Sequence, residues 1–143
     1  MSEIERIREQ LKRSHQGEAW YGPSVLEALE GISAEEAASR PLASAHTIFE
    51  LVLHVVAWRN VARRRLEGER VDSLPDREYF PPVGASGDDA WKQALDRLDR
   101  SYARLDEAIS RFEENRLEDS LPERGRTYYS MLHGLIQAIK NRP

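Results

Sequence analysis

The chain contains 143 residues, which is the length of one ordinary domain, so we expect a single domain over residues 1–143. Its 21 basic and 25 acidic residues give a net charge of −4 with both signs interspersed, which argues against nucleic acid or an anionic membrane as a partner. The absence of cysteine excludes disulfides, thiolate metal sites and a cysteine nucleophile, and it favours a reducing, cytoplasmic location. The charged stretch SEIERIREQ and the lack of an unbroken apolar run of about 18 residues predict neither a secretory leader nor a membrane span.

The N-terminal part of the chain has the apolar spacing of helices. Residues 3–30 carry apolar side chains mostly at three- and four-residue steps, and Pro23 is expected to kink or break this helix. In the stretch SAEE, Ser33 lies three residues before Glu36, which is the spacing of a reciprocal N-terminal cap. We therefore expect one interrupted helix followed by one short helix.

Residues 45–67 give the strongest helical pattern. An apolar stripe repeats at helical spacing, and Gly68 follows it as a natural residue after a helix C-terminus. The predicted stripe consists of Ile48, Leu51, Val52, Val55, Ala62 and Leu66. The next segment, 69–87, holds three prolines and two glycines without sustained periodicity, which predicts a long irregular crossover.

The last part of the chain predicts two more helices. Asp88 and Asp89 suit a helix N-terminus, and apolar residues follow at helical spacing as far as Phe112. A second stripe starts at Tyr128, and the sequence ends at Pro143, so the fourth helix is expected to be short. No persuasive strand pattern and no glycine-rich phosphate loop is present. The sequence predicts an all-α fold, a four-helix bundle with a long crossover between its second and third helices.

The octet LVLHVVAW, residues 51–58, places one imidazole among seven apolar side chains. Two interpretations of His54 follow from the residues alone: a neutral buried ring whose N–H bonds a nearby carbonyl, or a metal ligand. Glu50 lies one helical turn before it. Three roles for Glu50 stay open. In order of preference they are a solvated carboxylate, a hydrogen-bond partner for the His54 ring N–H, and a metal ligand.

The other three histidines are weaker candidates. His46 precedes His54 by eight residues, roughly 12 Å along a helix at 1.5 Å per residue, which is too far to share an ion. His15 lies in the polar stretch KRSHQGE and is expected to be solvated, while His133 is expected at a cap or on the surface. The basic run ARRRLEGER, residues 62–70, is typical of a solvated helix end, because cations are favoured near a helix C-terminus.

Three stretches, in this order, resemble landmarks of the DinB/YfiT-like superfamily: AWYGPSVLEALEGISAEEAASRP, AHTIFELVLHVVAW and YYSMLHGLIQ. The resemblance covers most of the chain and implies a four-helix bundle of up-down-down-up topology, often dimeric. It also implies a divalent metal, commonly zinc or nickel, on three histidines. Characterised members include metal-dependent thiol transferases that use bacillithiol or mycothiol, and a maleylpyruvate isomerase.

The resemblance implies that His54 is one metal ligand, on the second bundle helix. The family's other two ligands form a histidine pair on the last helix, at positions where this chain has Ala138 and Arg142. The sequence passes at once to the tail IKNRP, which predicts a truncation or internal deletion relative to the family.

A catalytic zinc typically needs about three protein ligands, so two hypotheses stay open. The first is a metal-dependent transferase or hydrolase of unknown small-molecule or thiol substrate, with its cleft between the second and fourth helices. The second is a metal-free binding or interaction module, expected to be a homodimer.

Overall fold

The computed structural model of the protein describes residues 2–17, 24–40, 46–72, 87–122 and 125–140. For residues 137–140 it describes the backbone only. The helices are α1 (Glu3–Gln16), α2 (Val25–Leu29), α3 (Ala34–Ala38), α4 (Ile48–Leu66), α5 (Asp88–Arg111) and α6 (Tyr128–Lys140), with a 3-10 turn at Glu114–Arg116. Within these ranges there is no β-strand, only an isolated bridge between Ser120 and Thr127. The predicted all-α fold is confirmed.

The first predicted helix ends earlier than Pro23. Gly17 follows α1 with a φ of 144°, a backbone conformation that favours glycine. α2 then has its own start, because Ser24 and Glu27 each accept a hydrogen bond from the other's backbone N–H. The expected interrupted helix over 3–30 is therefore two separate helices, and Pro23 itself lies outside the described residues.

Caps define the next two helices. Ser33 and Glu36 form the predicted reciprocal cap of α3, and α4 starts in the same way at Thr47. Gly68 follows α4 in the left-handed conformation with a φ of 95°, as its position predicts. Most of the predicted crossover lies outside the described residues.

The buried face of α4 differs from the predicted stripe. Phe49, Leu53 and Val56 are buried although the stripe omits them, whereas Leu51 and Val55 are only half-buried. α4 packs against α3, α5 and α6. A single stripe describes a helix covered from one side, and it is wrong here because neighbours cover α4 from several sides.

α4 and α5 run in the same direction. The Phe49 ring lies 5.3 Å from the Trp91 ring, near the starts of the two helices. Leu66 and Ala108, near their ends, belong to one apolar cluster. Two parallel neighbours in a helical bundle require a long connection, in agreement with the crossover expected between them.

α1 runs antiparallel to α5. Arg8 bonds Asp106, near the end of α5, while His15, at the last turn of α1, lies 3.0 Å from Asp99. The first and third long helices of the chain therefore run in opposite directions.

α6 begins beside the end of α5. The Tyr128 ring lies 4.9 Å from the Phe112 ring, and the Arg65 Nη1 atom lies 3.9 Å from the Met131 sulfur. α6 starts where α4 and α5 end, and it packs against α1 and α4. It therefore runs opposite to α4 and α5.

Two apolar clusters fill the bundle. One lies where α1, α6 and the C-terminal halves of α4 and α5 meet. The other lies where α3 and the N-terminal halves of α4 and α5 meet, with α2 packed against it. Buried polar side chains occupy the level between them, with Ser14 and His15 on α1, Arg59 on α4 and Ser101 on α5.

Candidate functional site

His54 is buried within α4. The residue is 4% exposed, and its ring lies 5.4 Å from the Trp58 ring. The part of the chain that the structure describes contains no group of three His, Cys, Asp or Glu side chains able to hold a metal ion. Positions 138 and 142 carry alanine and arginine, which offer no metal-binding lone pair. The residues present therefore do not fit the family's histidine-metal centre.

Glu50 is a helix-capping residue. Its Oε1 atom accepts the backbone N–H of Thr47 at 2.8 Å and also accepts a bond from Arg40. The Thr47 bond is the largest of the effects that lower the pKa of Glu50 to about 2, although burial opposes it. Both carboxylate oxygens have partners, because His46 lies 3.5 Å from the other one. The expectation that Glu50 is a solvated carboxylate is therefore wrong. Its side chain caps the N-terminus of α4.

Two of the remaining histidines lie on the surface. His46 is exposed just before α4. His133 is exposed on α6, where its ring stacks against Tyr129 at 6.2 Å. The structure brings neither of them to His54 as part of a metal-ligating group.

His15 is buried, so the expectation that it is solvated is wrong. It is 1% exposed, and its ring stacks on Tyr102 with centroids 4.5 Å apart. Its Nε2 atom lies 3.0 Å from Asp99 Oδ1. Burial first, and the charge of Arg59 second, lower the pKa of His15 to about 4, despite the opposing effect of Asp99.

Arg59 is the residue that sequence reasoning missed. It is 0% exposed, and its Nη1 donates to the Leu98 carbonyl at 3.2 Å, while Nε and Nη2 have no partner. Burial lowers the pKa of Arg59 to about 10, so it is still a cation at neutral pH. Its helical spacing could have indicated that it is buried, because it lies three residues after Val56 and three before Ala62 on a buried face.

These groups form one feature, which we call the buried polar layer. Its members are Ser14, His15, Arg59, Asp99, Ser101 and Tyr102. The two serine hydroxyls donate to carbonyls of their own helices at 2.8 Å each, one of them Leu98. The layer therefore keeps polar atoms of His15 and Arg59 without partners between two apolar clusters, which is an expensive arrangement in a folded protein.

The basic run at the end of α4 is only partly the solvated helix end that was expected. Arg63 pairs with Glu67 at 2.7 Å, and Arg64 pairs with Glu69, both at the surface. Arg65 is 4% exposed instead, and its guanidinium donates to the Val71 carbonyl. This arginine closes the turn after α4.

An open groove of about 550 Å³ lies between the C-terminal halves of α4 and α5. Arginine and glutamate side chains line it in comparable numbers, and Arg63–Glu67 and Arg111–Glu107 are paired. Because the charges largely compensate each other, this groove offers less distinctive chemistry than the buried polar layer.

Protonation of His15 is expected to reduce stability in mild acid. Its pKa is lowered from 6.5 to about 4 in the folded protein, so only the unfolded state takes up this proton between those values. The free energy of unfolding is then fully retained above pH 6.5 and falls as the pH drops toward 4, by up to about 1.4 kcal/mol per pH unit. Urea unfolding at about pH 7 and about pH 5 measures this slope, and His15→Gln serves as the control. Equal slopes for the two proteins would contradict the assignment.

No helix among the described residues is long and apolar enough to cross a membrane. A comparison with curated proteins and one with solved structures find no significant match. The family model of the DinB superfamily matches residues 23–138, from just before α2 to the last turn of α6, and so spans most of the chain. This match agrees with the helical bundle, and the chain belongs to the DinB superfamily.

Proposed function

We propose that this protein is a metal-independent binding module that holds a small ligand at its buried polar layer. One observation carries the proposal. Of the family's three metal-ligand positions only His54 keeps a donor, whereas Arg59 and His15 place three buried polar atoms without a hydrogen-bond partner in one layer of the bundle.

The donor chemistry near His54 supports this view. A catalytic zinc typically takes about three protein ligands and keeps one open position. Glu50, the acidic residue one turn before His54, is occupied by its cap and by Arg40. A metal at His54 would therefore lack the ligands that hold it tightly.

The polar layer supplies the positive part of the argument. A buried donor or acceptor left unsatisfied costs about 1–3 kcal/mol. The layer has three such atoms, Nδ1 of His15 and Nε and Nη2 of Arg59. A ligand that formed hydrogen bonds with these atoms would remove this cost, and the free energy recovered would favour binding.

Metal analysis of protein purified without a histidine tag tests the proposal. We expect well below one zinc or nickel per chain, and no difference between the wild type and His54→Ala. Stoichiometric metal that disappears in His54→Ala would contradict it.

That contrary result would favour the second candidate, a metal-dependent transferase or hydrolase with a thiol or other small-molecule substrate. The burial of His54 at the family's ligand position supports this candidate. In such a centre the metal would lower the pKa of a bound thiol or water.

Restoring the two missing histidines is expected to create a zinc site. Ala138→His combined with Arg142→His places two imidazoles four residues apart in the order that the family uses with His54. We expect one tightly bound zinc per chain in the double variant, measured by competition with a chromogenic chelator. Adding His54→Ala should remove it. Weak binding that does not depend on His54 would show that positions 138 and 142 do not lie beside His54 as in the family.

A further inference from the structure

The Nε–Nη2 edge of Arg59 is buried inside the bundle without a hydrogen-bond partner from the protein. The Nε–H and Nη2–H groups of a guanidinium point in the same direction and act as one two-pronged donor. In Arg59 both are buried without a partner, while Nη1 is used by Leu98. Arg8 shows what such an edge binds, because its Nε and Nη2 hold the two carboxylate oxygens of Asp106 at 3.0 and 3.1 Å. The Nε–Nη2 edge of Arg59 has the same donor pattern.

His15 adds an acceptor to the same layer. The Asp99 carboxylate can only accept a hydrogen bond, so the neutral His15 ring carries its proton on Nε2. Its Nδ1 atom then has a free lone pair, which is buried and has no partner. Arg59 Nη1 donates to the Leu98 carbonyl, and the next residue, Asp99, lies 3.0 Å from His15, so both groups lie beside the same turn of α5.

The charges of the layer favour a ligand with one negative charge. Arg59 supplies one buried positive charge and His15 is neutral, whereas the negative charge of Asp99 lies at the solvent-exposed outer edge, where water screens it. A dianion would bring a second negative charge into the bundle without a cation to pair it, which is costly in a buried site.

We propose that the Nε–Nη2 edge of Arg59 binds the carboxylate of a small hydroxy acid, whose hydroxyl donates to Nδ1 of His15. This inference names the ligand class of the binding function proposed above and rests on it. The ligand's carboxylate binds Arg59 in the way that the Asp106 carboxylate binds Arg8.

The layer reaches solvent at Asp99. The Asp99 side chain is 62% exposed, whereas its partner His15 is 1% exposed, so this pair leads from the surface to the interior. The flanking residues Ser14 and Ser101 are small and bond back to their own helices. Because the layer is closely packed between these helices, a ligand of a few heavy atoms would displace them less than a large one, which would have to separate α1 from α5.

Acetate and glycolate, which differ by one hydroxyl, test the proposal on the full-length, untagged protein. The protein is first dialysed against a chelator and returned to chloride buffer, and each anion then replaces chloride at constant ionic strength. A ligand that binds only the folded state raises the thermal midpoint by mass action. We expect the wild-type midpoint to rise with acetate and to rise at lower concentrations with glycolate.

Three variants give the test its specificity. In Arg59→Met the apparent affinity for acetate should fall at least about tenfold, because two charge-assisted hydrogen bonds are lost. Arg8→Met is the matched control, since its edge is already filled, and it should keep the wild-type response. His15→Phe should keep the response to acetate and lose the preference for glycolate.

A wild-type midpoint that ignores acetate, or an equal rise in Arg59→Met, would overturn the inference and leave water as the occupant of the edge. Equal responses to acetate and glycolate in the wild type would overturn the role of His15. These results concern metal-free protein, so they stay separate from the failure of the proposed function, which is stoichiometric metal at His54.

Discussion

Replacing Arg59 with methionine is expected to raise the free energy of unfolding by about 1–4 kcal/mol. Arg59 is completely buried as a cation, with two nitrogen atoms that have no partner. Methionine has a similar length, fills irregular apolar space and leaves no buried charge. The variant gives up one hydrogen bond to Leu98, but it removes a larger desolvation cost.

Urea unfolding at neutral pH measures this gain, with Arg59→Lys as the control. Lysine keeps a buried charge but lacks the planar guanidinium that reaches the Leu98 carbonyl, so we expect it to be less stable than the wild type. A loss of more than about 1 kcal/mol in Arg59→Met would mean that Arg59 stabilises the free protein, contrary to a role in ligand binding.

Replacing Leu105 with alanine is expected to lower the free energy of unfolding by about 3–5 kcal/mol. Leu105 is 0% exposed in the C-terminal half of α5, inside the apolar cluster that joins α1, α4, α5 and α6. The variant loses the transfer free energy of the deleted groups and leaves a cavity that helices fixed on several sides close only in part.

Two controls accompany this prediction. Leu105→Met conserves volume and should cost less than about 1.5 kcal/mol. Leu95→Ala removes the same atoms from a half-buried position on the same helix and should cost clearly less than Leu105→Ala. A loss below about 1 kcal/mol in Leu105→Ala would contradict the tight packing of this cluster.

The helices and their caps were predictable from the sequence because their signals are local. The Ser33–Glu36 spacing, the position of Gly68 and the apolar repeat after Asp88 each depend on neighbouring residues, and the structure agrees with each. The buried face of α4 was not predictable from one stripe, because it depends on how many neighbours pack around the helix.

The polar layer could not be predicted, because tertiary contacts create it. His15 stands in a polar stretch of sequence, yet Asp99 and Tyr102, more than eighty positions away, enclose it. Arginine is a residue type usually found in solvent, whereas the helical spacing of Arg59 is that of a buried residue. The residue type was therefore misleading and the spacing was correct. Glu50 could have been recognised as a cap, since Thr47 precedes it by three residues as Ser33 precedes Glu36.

A crystal structure of the metal-free protein grown with glycolate tests the central claim most directly. We predict one carboxylate bound side-on to Nε and Nη2 of Arg59 with contacts of about 2.7–2.9 Å, the glycolate hydroxyl on Nδ1 of His15, and no metal at His54. Ordered water alone along the Arg59 edge, or a metal ion held at His54 after the protein is exposed to zinc, would contradict the account.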